Sequence, residues 1–337
     1  MINPQAKLNP KIFDEDCEQQ PIRKGFGEGL VAAGEADPNV VGLCADLTES
    51  AQMLAFKQKF PERFVEIGVA EQNLAATASG MAAMGKIPFI ASYAMFSPGR
   101  NWEQIRTTIC YNNRPVKIAG SHAGVSVGPD GGTHQAIEDI AITRVIPRMV
   151  VISPCDAIEA KKATIAAAKT ASPTYIRLAR EKTPVITSAD TPFEIGKAQI
   201  VFQPITRTPD VAIIATGALV HKALQAAAAL EKEKIGVTVL NLHTIKPLDE
   251  RAILKLADEA GAIVTVEEHQ IAGGMGSAVA ELIAAKATKP ALIEFIGVRD
   301  QFGQSGTPAE LIEHYGMGKD AIFAAAKKVI ERKHTRL

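Results

Sequence analysis

Short, β-branched-rich apolar runs alternate with longer helical patterns along almost the whole of this chain, and that alternation limits the fold more than any other feature. The runs fall at 40–45, 64–67, 88–92, 116–119, 149–153 and 175–178, with helical patterns at 23–33, 70–84, 101–111, 135–144 and 157–168 between them. Strands separated by single helices predict parallel βαβ units. The runs barely alternate between apolar and polar residues, as suits a sheet covered on both faces.

The pattern breaks once. Residues 181–193, EKTPVITSADTPF, hold two prolines and several small polar residues and read as a linker. Strand-like runs then resume at 211–217, 236–244, 262–269 and 291–298, separated by helical patterns at 218–231, 249–260 and 274–285. The expected fold is α/β in two domains, each a mostly parallel sheet flanked by helices. An N-terminal extension (1–20) precedes a first domain (21–182), a linker (183–194) and a second domain (195–337). A length of 337 residues suits two domains. The formal net charge of +0 gives no sign of a nucleic-acid or membrane partner, and no apolar run is long enough to span a bilayer. Cys17, Cys44, Cys110 and Cys155 show no paired spacing and read as buried reduced thiols. With no apolar signal core near the N-terminus, they point to the cytoplasm.

In open parallel sheets ligands bind beyond the carboxyl ends of the strands, and unusual polar residues collect in those loops here. Glu71, in Gly-Val-Ala-Glu-Gln-Asn, opens a helix directly after a strand. It either complements the helix dipole or is a buried acid whose raised pKa keeps a proton against a cofactor. Aromatics make up only 5% of the chain, yet Tyr93, Phe96 and Trp102 cluster after one strand, as core packing or as a flat wall for a heteroaromatic ring. Segment 121–135, SHAGVSVGPDGGTHQ, concentrates glycines with two histidines and an aspartate. Its glycines permit sharp turns and close backbone approach to a ligand, while His122, Asp130 and His134 suit hydroxyl and phosphate recognition. No further His or Cys falls at metal-ligand spacing and no Gly-Lys-Ser/Thr follows, so neither a metal site nor a Walker loop is expected. Arg23 and Arg180 are phosphate forks or surface ion pairs. In the second domain, Glu267-Glu-His-Gln and Gly273-Gly-Met-Gly lead into a helix N-terminus that suits an anion, although packing and dimerisation are its expected role.

Taken in order, ADLTES (45–50), GVAEQN (68–73) and GPDGGTHQ (128–135) resemble the carboxyl-terminal half of transketolase. The similarity runs from about Arg23 onward and is closest to the split transketolases, in which two chains share the work of one. The resemblance implies a pyrimidine-binding domain followed by a transketolase C-terminal domain, with thiamine diphosphate as cofactor. The implied activity is transfer of a two-carbon ketol unit from a ketose phosphate to an aldose phosphate in the non-oxidative pentose phosphate pathway. It also implies that Glu71 protonates the aminopyrimidine ring, that Phe96 stacks on that ring with Tyr93 and Arg100 nearby, and that Asp46 lies near cofactor and substrate. His122 and His134 match histidines that contact the donor sugar. Asp130 matches an aspartate that reads a sugar hydroxyl, and Arg23, Ser50 and Arg180 match the anchors of the sugar phosphate. Pro129 and Gln72 depart from the family's common pattern and leave the substrate range open.

The family binds the cofactor diphosphate and a divalent cation through a Gly-Asp-Gly segment, and this chain contains none. The resemblance therefore implies an N-terminal partner subunit that supplies the diphosphate and Mg2+ (or Ca2+) site, in an α2β2 assembly with Glu71 facing the partner. Three alternatives stand beside it. A deoxyxylulose-phosphate-synthase-like carboligase subunit shares the Asp-Gly-x-Thr-His-Gln loop but usually comes as one long chain. The beta subunit of a 2-oxo-acid dehydrogenase has this length but typically lacks the paired histidines. A catalytically dead scaffold subunit is disfavoured by the joint presence of Glu71, Asp130, His134 and Arg180.

Overall fold

The computed structural model describes residues 1–204 and 208–335, so residues 205–207 and 336–337 of the expected second domain lie outside the described residues. In chain order the strands are β1 (Gln19–Pro21), β2 (Val40–Cys44), β3 (Phe64–Glu66), β4 (Ile87–Tyr93), β5 (Lys117–Ser121), β6 (Val150–Ile152), β7 (Thr174–Arg177) and β8 (Lys182–Pro184). They continue as β9 (Gln199–Phe202), β10 (Val211–Ala215), β11 (Val237–Asn241), β12 (Thr244–Lys246), β13 (Ala262–Gln270) and β14 (Leu292–Val298). One sheet has the order β12-β6-β7-β5-β4-β2-β3 and the other β14-β13-β10-β11-β9. Both are parallel except at one edge, where β12 and β9 run antiparallel to their neighbours. Two interior runs, VVGLC of β2 and VAIIA of β10, are buried along their whole length, which is why their sequences show no alternation. Strand β1 pairs with β8 in a small separate ribbon.

The two sheets are not independent bodies. One apolar cluster runs from Val41, Leu43 and Ile118 of the first sheet to Ile214, Leu240 and Ile263 of the second. The run expected as one strand at 236–244 is cut in two. β11 stays in the second sheet, while β12 crosses to cover β6, and Ser153 N–H donates to the His243 carbonyl at 2.7 Å at the crossing. This covers a sheet edge that would otherwise present unpaired backbone groups.

Residues 1–20, expected as an extension, are tied to the linker and the second domain. Asn3 Nδ2 donates to the Ile200 carbonyl at 2.7 Å, Asn9 Nδ2 to the Val185 carbonyl at 2.8 Å, and His221 hydrogen-bonds the Ile12 carbonyl at 2.9 Å. The linker is pinned as well. The fully buried Asp156 accepts the Ile186 N–H at 2.8 Å, the Thr187 N–H and hydroxyl, and the Glu159 N–H that caps the helix Ala157–Ala168.

Two helical expectations change. The pattern at 101–111 begins as α-helix at Trp102–Gln104 and continues as a π-helix over Ile105–Tyr111. The pattern at 135–144 is helical only over Asp139–Arg144. Its first residues are held irregular because Gln135 turns inward and the Ala136 carbonyl accepts the Gly124 N–H at 2.8 Å.

Asp156→Ala leaves the Ile186 and Thr187 amides buried without an acceptor and is expected to cost about 3 kcal/mol. The urea midpoint should fall with the slope unchanged. An unmoved midpoint would show that the linker is held by something else.

Candidate active site

The carboxyl ends of β2, β3, β4, β5 and β7 open on one edge of the first sheet, and the loops there converge. Glu71 begins the helix Glu71–Ala83 and is 2% exposed. Its Oε2 accepts Arg100 Nη1 at 2.8 Å, and its carbonyl accepts Asn101 Nδ2 at 3.0 Å. The half-exposed Arg100 guanidinium lies 5.1 Å from the centre of the Phe96 ring. Phe96 stacks near Tyr93 at 6.3 Å, and Tyr93 lies on His122 with ring centres 3.8 Å apart. His134 meets Phe96 edge-on at 5.5 Å. A continuous wall of rings therefore runs from the buried carboxylate to both histidines.

Beyond His122 lie the two arginines. Arg23 Nε donates to the Arg180 carbonyl at 3.2 Å and its Nη1 to the Ser50 carbonyl. Arg180 Nη1 donates to the Val127 carbonyl at 2.9 Å and pairs with Glu181 at 2.8 Å. Burial, and then the charge of Arg180, lowers the Arg23 pKa. Two guanidinium groups whose charges oppose each other favour an anion between them. Burial also pushes the His122 imidazole down to about 3, with Arg23, Arg180 and His134 adding to the effect. His122 is thus neutral, with Nδ1 hydrogen-bonded to the Ser121 hydroxyl at 2.8 Å.

Two of the anticipated residues stand apart. The exposed Asp46 enters the site edge through its backbone, whose N–H donates to Glu66 Oε1 at 2.7 Å. Asp130 ends the 3-10 turn Val125–Asp130 with its carboxylate exposed, and no hydrogen bond or ion pair among the described residues holds it.

Sequence reasoning missed the parts that hold these groups. Glu66, at the end of β3, ties the Asp46 turn, the Thr48 hydroxyl (2.8 Å) and the Gly68 N–H (3.2 Å) together just before Glu71. Arg177 and Asp139 form a buried ion pair at 2.8 Å, joined by the Tyr175 hydroxyl at 2.6 Å. A polar residue at the end of each apolar run was the only signal available for either group. The suggested anion site in the second domain is already filled from within. Glu267 Oε2 and Oε1 accept the N–H groups of Met275 (2.6 Å) and Gly276 (2.8 Å) at the start of the helix Met275–Lys286.

Among the described residues no group of three or more His, Cys, Asp or Glu side chains is placed to hold a metal ion. The sequence profile described as "Transketolase, pyrimidine binding domain" matches residues 18–185, and that described as "Transketolase, C-terminal domain" matches residues 196–322.

The chain belongs to the transketolase family. A protein of Methanocaldococcus jannaschii named provisionally as a transketolase C-terminal section is 44% identical over 92% of this chain and 95% of its own. A 6-deoxy-6-sulfo-D-fructose transketolase subunit of Clostridium sp. (strain MSTE9) is 38% identical over 96% of this chain and 99% of its own. A solved structure described as a split gene transketolase in an inactive beta4 tetramer superposes with a TM-score of 0.84 at 40% identity, covering 92% of this chain and 98% of that one. The chain is accordingly the C-terminal section of a transketolase of the split type.

Four buried histidines give this transketolase subunit a defined acid response. Burial lowers His122 to about 3, His243 and His269 to about 4, and His221 below its ordinary value. An unfolded histidine titrates near about 6.5. Below that value the unfolded chain takes up protons that the folded chain refuses, so stability present above about pH 6.5 is lost progressively toward about pH 4. The buried carboxyls of Glu267, raised to about 7, and of Asp156, Glu159 and Glu268, also raised by burial, work in the opposite sense. The direct readout is therefore the ring itself: His122 should keep its neutral NMR signature from pH 7 to pH 5. A His122 that titrates near 6.5 in the folded chain would contradict the burial seen here.

Proposed function

We propose that this chain is the C-terminal subunit of a two-chain transketolase. It would move a two-carbon ketol unit from a ketose phosphate to an aldose phosphate with thiamine diphosphate, in the non-oxidative pentose phosphate pathway of the cytoplasm. The observation that carries this reading is one continuous surface: buried Glu71, the ring wall of Phe96, Tyr93 and His122, and the Arg23–Arg180 pair. An aminopyrimidine ring fits its first part, because it offers a nitrogen to a carboxylic acid and a face to an aromatic wall. When bound, thiamine diphosphate supplies the carbon nucleophile and the electron sink for breaking and making the bond beside the sugar carbonyl.

The chain's own residues then have separate tasks. Glu71, shielded from water, would hydrogen-bond the ring nitrogen through its carboxyl group and exchange a proton with it. The half-exposed Arg100 is free to exchange its place on that carboxylate for the ring. His122 enters as a neutral imidazole able to accept a hydrogen bond from a sugar hydroxyl. His134 and Asp130 read further hydroxyls, Asp46 closes the edge near cofactor and substrate, and Arg23, Arg180 and the Ser50 hydroxyl hold the phosphate. Among the described residues no group of three or more His, Cys, Asp or Glu side chains is placed to hold a cation, and the sequence holds no Gly-Asp-Gly segment. An N-terminal partner is therefore proposed to bring the diphosphate and Mg2+ (or Ca2+) site in an α2β2 assembly. The description of the related beta4 tetramer as inactive supports this division of labour. The four unpaired buried thiols suit a reducing cytoplasm.

A second substrate reading has its own support. The relative acting on 6-deoxy-6-sulfo-D-fructose shows that the family includes a sugar sulfonate, a tetrahedral anion that the same arginine pair would accept.

Glu71→Gln should lower kcat by about two to four orders of magnitude in the assembled enzyme, with assembly unchanged. Full turnover in that variant would end the proposal for Glu71. Arg180→Ala should raise KM for phosphorylated sugars by about 10- to 100-fold, with a smaller effect on sugars lacking the anion. Equal effects on both would remove Arg180 from the anion site.

A further inference from the structure

Both ends of the sugar-reading loop are anchored by the second domain. Gln135 follows His134 directly and is 2% exposed. Its Nε2 donates to the carbonyls of Val125 (3.0 Å), Gly128 (3.3 Å) and Gln304 (3.0 Å). The first two lie in the loop and the third in the segment after β14. At the other end, Glu268 near the end of β13 accepts the Ser126 N–H at 2.6 Å. A Cβ on Gly124 would fall 2.3 Å from that carboxylate oxygen, so the loop glycine makes room for the second domain. Between these anchors the loop carries Asp130 and His134, whose own side chains do little to place it. Asp130 is exposed, and among the described residues the His134 side chain hydrogen-bonds the Thr133 hydroxyl and meets two rings at a steep angle.

Building on the reading of this loop as the sugar site, we propose that Gln135 is a positioning residue. Through it the second domain sets where Asp130 and His134 meet the substrate. Gly303 is the second-domain half of the device, because a Cβ there would fall 1.7 Å from Gln135 Oε1. The chemistry stays with Glu71 and the cofactor, while fit to the sugar chain is shaped by a domain that carries none of the reacting groups.

A double-mutant cycle on the complex with its N-terminal subunit tests this. Gln135→Met keeps the side chain's length and removes its three hydrogen bonds. Gly303→Ala displaces the Gln135 carboxamide from the opposite side. Each single substitution should raise KM for the donor sugar phosphate by about tenfold or more. kcat at saturation and the apparent affinity for thiamine diphosphate should change by less than about threefold. In the Gln135→Met background, Gly303→Ala should add nothing further. Multiplying effects, or a lower melting temperature with unchanged KM, would overturn the proposal. Hydrogen–deuterium exchange over residues 124–134, without sugar, separates this idea from the assigned reaction. Faster exchange confined to that loop supports the positioning role even if the wild-type complex transfers no ketol unit. Unchanged exchange refutes it whatever the reaction proves to be.

Discussion

Arg177 is the interaction on which the rest depends. It ends β7 buried at the seam between the sheets, and its guanidinium reaches three separate segments. Nε pairs with Asp139 at the start of a short helix, and Nη2 donates to the Ala136 carbonyl of the sugar loop and the Glu268 carbonyl of β13. Burial opposes its charge, but the carboxylates of Asp139 and Glu268 outweigh burial and keep it protonated. A buried ion pair of this kind adds little net stability over an apolar replacement, yet losing one partner costs about 3–5 kcal/mol. Its value here is geometric: one cation fixes loop, sheet and second domain in a single register.

The parallel strands and the helices between most of them were legible because a two-sided buried sheet leaves a local signature. The short strands β1, β8 and β9 and the helices Leu54–Lys59, Pro308–His314 and Lys319–Thr335 were not. The run VVGLC and the pattern of the helix Ala157–Ala168 need no knowledge of what packs on them. Features that depended on distant partners were not legible. The run at 236–244 is uniformly strand-like, and only the open edge of β6 makes its last residues leave the second sheet. Residues 135–138 carry a helical pattern, and only the acceptors offered by Val125, Gly128 and Gln304 draw Gln135 out of a helix. The proline-bearing linker reads as loose, whereas Asp156, thirty residues upstream of Ile186, holds it.

The site divides in the same way. Glu71, Phe96, Tyr93, His122, His134 and Arg180 stand beyond strand ends that the parallel topology brings together, Arg23 comes in from the helix Ile22–Ala36, and Arg100 is legible only through the resemblance. Asp46 and Asp130 were also chosen, but nothing local fixes their carboxylates, and they remain exposed. The loop glycines serve the protein's own packing as well as its turns. Gly124 is small for the sake of Glu268 in the second domain, a protein neighbour rather than a ligand.

A half-built site explains why a buried carboxylate, an aromatic wall and two arginines lie at an open sheet edge. The most direct measurement is ketol transfer from xylulose 5-phosphate to ribose 5-phosphate, with thiamine diphosphate and Mg2+, by the purified chain alone and after mixing with an N-terminal transketolase subunit. Silence alone and sedoheptulose 7-phosphate on mixing is the predicted result. Turnover by the lone chain would contradict the division of the active site between two subunits.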